Sequence, residues 1–278
     1  LEVGVLIVLL ASVGAGLLAI MACAWLYQRA VSNVGWVDVF WTLGTGLGAV
    51  VLSLAPVDPS LHAWPSARQW MVAGLAAIWS LRLGLFVAIR VARTAEEDRR
   101  YRDLRVQWGD RFQITLLSFV LIQAPVALLL GACVMLAARA PRPGLDIQDL
   151  LGALILAIAI GGEAVADEQM RRFKARKPPA GAINDRGLWS WSRHPNYFFE
   201  WFGWLAYPVI SSSVHGVYGW GWAAWGAPIL MYLVLDRGTG VPPLEAQMLK
   251  SRGDAFRDYQ SRTSRFFLWP PRKPSVHG

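Results

Sequence analysis

The sequence predicts an all-α membrane protein: a bundle of seven transmembrane helices with the N-terminus outside and the C-terminus cytoplasmic. Three observations predict it. First, 55% of the 278 residues are apolar and only 17% are charged, with a mean hydropathy of +0.36. A water-soluble domain carries roughly 25% charged residues, so this chain lacks the polar surface for water on every side. Second, apolar runs long enough to cross a bilayer recur at 3–27, 34–56, 70–89, 114–137, 147–166, 197–213 and 217–235. Third, the basic residues are segregated. Segments 90–113 and 167–196, the tail 236–278 and Arg29 hold 23 of the 27 Lys and Arg residues. These segments share one side of a seven-span topology, and the positive-inside rule makes that side the cytoplasm.

Each run is expected to be helical, because lipid offers no hydrogen bonds to a bare backbone. The runs are too long and too evenly apolar for barrel strands. Residues 3–27 read as a span rather than a signal peptide, since no basic segment precedes them and the apolar stretch exceeds an h-region. The 15 Trp residues suit bilayer interfaces. The net charge of +8 is then a consequence of topology, and no nucleic-acid partner is inferred. Cys23 and Cys133 both lie within apolar runs and have no partner at disulfide or metal-ligand spacing.

The cytoplasmic segments are longer than connectors need to be. Segment 90–113 mixes Glu96, Glu97, Asp98, Asp103 and Asp110 with its arginines and is expected to extend helix three before turning. Segment 175–188 is a loop rich in Pro and Gly. Glu245 through Tyr259 reads as an amphipathic helix lying on the membrane surface, ended by Pro270 and Pro271.

Charged residues within spans are functional candidates. Asp38, near the start of span two, and Arg82, within span three, read either as an ion pair joining two helices or as part of a catalytic site. The densest constellation is 163–204. Glu163, Asp167, Glu168, Arg171 and Lys174 fall at helical spacing along one stripe. That stripe reads either as a salt-bridged helix end or as a cationic rim for a phosphorylated cofactor. Ser192-Arg193-His194-Pro195-Asn196-Tyr197 then opens span six, with Pro195 suited to a first turn and Glu200 one turn further in. No metal is inferred: His62, His194, His215 and His277 are scattered, and no Cys pair accompanies them. A Rossmann fingerprint and a phosphate loop are both lacking from the sequence.

The Ser192–Tyr197 stretch with Glu200, the two apolar spans after it and the Glu245-to-Tyr259 tail resemble the steroid 5α-reductase superfamily, in particular its bacterial DUF1295 branch. The resemblance covers about 160–271 and, more weakly, 33–101. It implies one integral membrane domain over 1–278, with the substrate side in 1–113 and the cofactor side in 114–278. It also implies NADPH as cofactor and reduction of a carbon–carbon double bond in a steroid-like or other lipophilic substrate. A bacterial inner membrane is the implied location, with membrane lipids and the substrate as partners and the cofactor site facing the cytoplasm. Position by position, Asp167, Arg171, Lys174, Arg193, His194, Asn196, Tyr197, Glu200 and Tyr259 fall on the cofactor side of the resemblance. Asp38, Trp79 and Arg82 fall on the catalytic side. Trp79 stands where the steroid enzymes carry a tyrosine, and an indole donates a hydrogen bond but gives up no useful proton. Isoprenylcysteine carboxyl methyltransferases share the Arg-His-Pro–Tyr stretch and bind S-adenosylmethionine, so lipid methylation is the alternative enzyme. A lipid-binding protein without catalysis is the alternative class.

Overall fold

The computed structural model describes residues 3–56, 65–94, 99–212 and 218–272. Glu96, Glu97 and Asp98 lie outside this range. The chain is 80% helical, and no strand forms among the described residues beyond an isolated bridge between Ser192 and Ser264. Among the described residues, five helical stretches are long and apolar enough to cross a membrane: Val3–Val31, Trp36–Leu54, Ala67–Arg93, Tyr101–Ala138 and Ile147–Ala175. The chain divides into two compact units, one of residues 1–153 with 207–227, the other of 154–206 with 228–278.

In the first unit, α1 (Val3–Val31), α2 (Trp36–Leu54) and α3 (Ala67–Arg93) are unbroken helices. α3 starts where Ser66 and Gln69 cap each other reciprocally, at 2.9 and 3.3 Å. It runs to Arg93, four residues past the expected limit of 89, and a separate α4 (Arg99–Trp108) follows, so the expected extension of helix three into segment 90–113 is short. A single 3-10 turn then leads into α5 (Phe112–Leu121) and α6 (Gln123–Ala138).

α2 approaches its neighbours through small residues, as helices in lipid must when packing rather than water drives their association. A methyl group on Gly46 would stand 2.1 Å from the Ser80 side chain, and one on Gly84 would stand 2.6 Å from Leu43. The contact is fixed by the Ser80 hydroxyl, which donates to the Thr42 carbonyl at 3.0 Å. Leu17, Met21 and Ala24 of α1 join Val34, Val37, Phe112 and Leu116 in one buried cluster. Leu18, Leu47 and Leu81 face outwards, which suits lipid.

A polar knot closes the opposite end of this unit. Arg68, 4% exposed, grips the 1% exposed Asp149 with two hydrogen bonds of 2.8 Å. It also donates to the carbonyls of Ala140 and Arg142, each at 2.8 Å, and of Gly144. Arg142 reaches the Ile210 carbonyl at 2.7 Å, and Arg139 reaches those of Leu52 and Ala55 at 3.0 and 2.7 Å. These three arginines hold helix ends by their last carbonyls.

The second unit takes up the rest of α7 (Ile147–Ala175), which runs beyond the expected limit of 166 and carries Glu163 to Lys174 on one continuous helix. The regions expected as spans six and seven are helical but interrupted. The first comprises α9 (Pro195–Trp204) and α10 (Ala206–Ser211). The second comprises a 3-10 segment Gly219–Trp225, α11 (Gly226–Tyr232) and a π-turn Leu233–Arg237. Pro208 and Pro228 each sit in the opening turn of a restarted helix, the position a proline tolerates. Between α7 and α9 comes α8 (Leu188–Trp191), and the tail forms α12 (Val241–Arg262), kinked where Gly253 adopts φ 53°.

Candidate functional site

α9 lies antiparallel against α7. A methyl group on Gly162 would stand 2.3 Å from the Phe199 ring, and one on Gly203 would meet Ala159 at 3.2 Å. This pairing places Asn196, one turn before Phe199, level with the α7 turns that carry Glu163 and Asp167. Glu163 and Glu200 are 6% and 8% exposed, and the Trp204 indole donates to Glu200 at 3.0 Å. Asn196 and Tyr197 are half-buried in the first turn of α9, and Lys174 is exposed at the end of α7. Arg171 leans along its own helix to Glu168, at 2.6 and 2.8 Å, and Arg172 shares the same carboxylate at 2.6 Å. Exposed pairs of this kind hold little energy and rearrange easily, so Arg171 can turn to another anion. Together these residues offer three cations, an amide, a phenol and carboxylates along the later turns of α7. That donor set suits a ligand with phosphates and polar heteroatoms.

Other members of the expected set are buried and bonded within the fold. Arg193, His194 and Tyr259 are 8%, 2% and 1% exposed. Arg193 pairs with Glu245 at 2.7 Å and donates to the carbonyls of Thr263 and Gln260 at 2.6 and 3.2 Å. His194 Nε2 lies 3.1 Å from the same carboxylate, and its ring stacks on Tyr197 at 5.8 Å between centroids. The Tyr259 hydroxyl donates to the Trp189 carbonyl. Backbone bonds complete the union: Arg193 N to Ser264 O at 2.8 Å and Trp269 N to Trp191 O at 3.0 Å. The Arg-His-Pro stretch is therefore a clasp that fastens the tail to the start of α9. Glu245 is the residue its assignment missed. The signal was partial: two adjacent buried bases require an acid, and the tail offers four, Asp236, Glu245, Asp254 and Asp258.

The electrostatics follow from burial and these bonds. Burial disfavours the charged form of Glu245, but the donors on His194 and Arg193 outweigh it and hold the carboxyl at about 2. Burial lowers His194, against the pull of Glu245. A neutral imidazole with its proton on Nε2, donating to Glu245, satisfies both. Tyr259 is raised by burial and stays a phenol.

In the first unit, the Tyr101 hydroxyl lies 3.3 Å from the Asp38 carboxylate, joining α4 to α2. Trp79 is 5% exposed within α3. The Arg82 guanidinium lies over the Phe86 ring at 5.5 Å. An apolar groove of about 380 Å³ runs along α1 and α2, lined by Tyr27, Trp36, Phe40 and neighbouring aliphatic side chains.

A family model described as "Protein of unknown function (DUF1295)" matches residues 24–263. No curated protein and no solved structure matches the chain.

Proposed function

The chain belongs to the DUF1295 family of steroid 5α-reductase-like membrane proteins, and from that premise we propose that it is an NADPH-dependent reductase of a carbon–carbon double bond in a lipophilic substrate. The observation that carries the proposal is the polar level of the second unit, where α9 brings Asn196 and Glu200 alongside Glu163 and Asp167 of α7. Lys174 and Arg171 carry the charge that phosphates require, and Asn196 supplies an amide that donates and accepts. The clasp positions Asn196 and Tyr197 by fixing the residues just before them. NADPH, when bound, supplies the hydride. The chain contributes a proton for the second alkene carbon from the Asp38–Tyr101 pair and a cation, Arg82, for a conjugated carbonyl. The groove lined by Tyr27, Trp36 and Phe40 suits a lipophilic body.

Titration of the detergent-purified protein with NADPH and, separately, with S-adenosylmethionine tests the reading. Asn196→Ala and Lys174→Ala should each weaken NADPH binding about 10- to 100-fold, the cost of one charge-assisted hydrogen bond, without lowering the melting temperature. Tight binding of S-adenosylmethionine in place of NADPH would move the chain to the methyltransferases. Asp38→Asn should lower turnover on a membrane lipid extract about 100-fold or more, as loss of general acid catalysis does, with NADPH affinity intact. Early melting with normal turnover would make Asp38 structural.

Seven crossings with an external N-terminus remain part of this proposal, supported by the segregation of basic residues. In a background without Cys23 and Cys133, cysteines at Ser60 and Ser275, both outside the described residues, should be labelled from opposite sides. Labelling from one side would overturn the topology.

A further inference from the structure

Beyond the polar level of α7 and α9, the tail builds a second cavity whose chemistry the reductase reading does not use. It measures about 450 Å³ and is lined by Arg193, Arg262, Arg265, Arg272 and Trp269 with the hydroxyls of Ser261, Thr263 and Ser264, and among the described residues no acid lines it. Acids hold three of these arginines in place. Arg193 is held by Glu245 at 2.7 Å, Arg262 by Asp185 at 3.0 Å and Asp258 at 2.9 Å, and Arg265 by the buried Asp236 at 3.2 Å. Arg272 is exposed and has no acidic partner among the described residues. A cavity of fixed guanidinium groups and hydroxyls fits a phosphate.

The rim indicates what carries that phosphate. Trp269 lines the cavity and is 70% exposed, and Trp191, 45% exposed, adjoins it through the bond from the Trp269 amide to the Trp191 carbonyl at 3.0 Å. Trp191 ends α8, which is pinned to α7 through Trp189 Nε1 to the Ala166 carbonyl and Leu188 N to Gln169 Oε1, both at 3.0 Å. The cavity thus belongs to the end of α7 where its apolar length gives way to Arg171, Arg172 and Lys174. Exposed indoles beside basic residues at the end of a membrane helix are the surroundings of a lipid headgroup. A soluble nucleotide gives no reason for large apolar rings to stand open to solvent around its phosphate.

We propose that this cavity binds the phosphate headgroup of an anionic glycerophospholipid, with the rim aromatics lying against the top of its acyl chains. The proposal does not rest on the reductase reading, although Arg193 belongs both to the cavity wall and to the clasp. The full chain is reconstituted in nanodiscs of phosphatidylcholine with phosphatidylglycerol, and the retained lipids are measured by native mass spectrometry. Phosphatidylglycerol should be retained over phosphatidylcholine. Arg272→Glu should weaken that preference about 10-fold, and Trp269→Ala should weaken it without changing the net charge. Arg257→Glu, on an exposed face of α12 away from the cavity, makes the same charge change and should leave the preference intact. Arg272→Gln serves as the second variant should reversal of charge lower the melting temperature. The proposal is overturned by equal retention of both lipids, or by equal losses in Arg272→Glu and Arg257→Glu. Release of phosphatidylglycerol by NADPH or inorganic phosphate would also overturn it, by assigning the cavity to a soluble phosphate.

Discussion

Replacing Arg68 by Ala should destabilise the protein by ~3–5 kcal/mol, the cost of leaving a buried charge without its partner. The variant leaves the Asp149 carboxylate, 1% exposed, with only the more distant Arg142 guanidinium at 3.4 Å and the Asp146 amide at 2.9 Å, and it withdraws a donor from the carbonyls of Ala140, Arg142 and Gly144. Arg68→Lys should restore little, because an ammonium cannot span both carboxylate oxygens while serving three carbonyls. The double variant Arg68→Met, Asp149→Leu should recover only part of the loss, since the charge is gone but the carbonyls remain unserved. Thermal unfolding in detergent checks all three. A melting temperature for Arg68→Ala equal to wild type would refute the structural assignment of this arginine.

Glu245→Gln should produce a loss of the same order, ~3–5 kcal/mol, confined at first to the tail. The amide matches the carboxylate in size but leaves the Arg193 charge facing two backbone carbonyls, Gln260 and Thr263. The substitution should also change the pH dependence in a defined direction. The folded Glu245 carboxyl lies at about 2, below its ordinary 4.5, so its contribution is present in full above pH 4.5 and is lost as pH falls towards 2. His194 is lowered from 6.5, so its contribution is full above that value and declines below it as the unfolded chain takes up the proton. Both act in one sense, and acid loosens the tail. The melting temperature of the wild type should therefore fall between pH 4.5 and 2 more steeply than that of Glu245→Gln. Parallel curves would remove Glu245 from the clasp.

These two residues also show how far the sequence was legible. Hydropathy found α1, α2, α3 and α7 to within a few residues at most ends, because long apolar runs leave a backbone no alternative to the helix. It could not see the breaks at 205 and 219–237, where proline, glycine and 3-10 geometry divide runs whose average hydropathy stays high. Arg68, Arg139 and Arg142 fall outside the basic segments that the positive-inside count rests on. Their partners are carbonyls 72 to 87 positions away for Arg68 and Arg139, and 68 away for Arg142, and no local pattern announces a backbone acceptor. The Arg-His-Pro stretch was legible as a place of consequence but not as a clasp, because Glu245 lies 51 and 52 positions from His194 and Arg193. The pairing of Asp38 with Tyr101, 63 positions apart, was hidden for the same reason.

The reductase reading rests on one transfer, and isotope labelling follows it directly. The full chain in proteoliposomes is given NADPH deuterated at the transferable position together with a lipid extract, and the extract is then searched by mass spectrometry. The account predicts a lipid product that has gained one deuterium from the cofactor and one proton from water, and that disappears in Asp38→Asn. Saturable NADPH binding with no deuterium in any lipid, or a labelled methyl group delivered to lipid from S-adenosylmethionine, would contradict it.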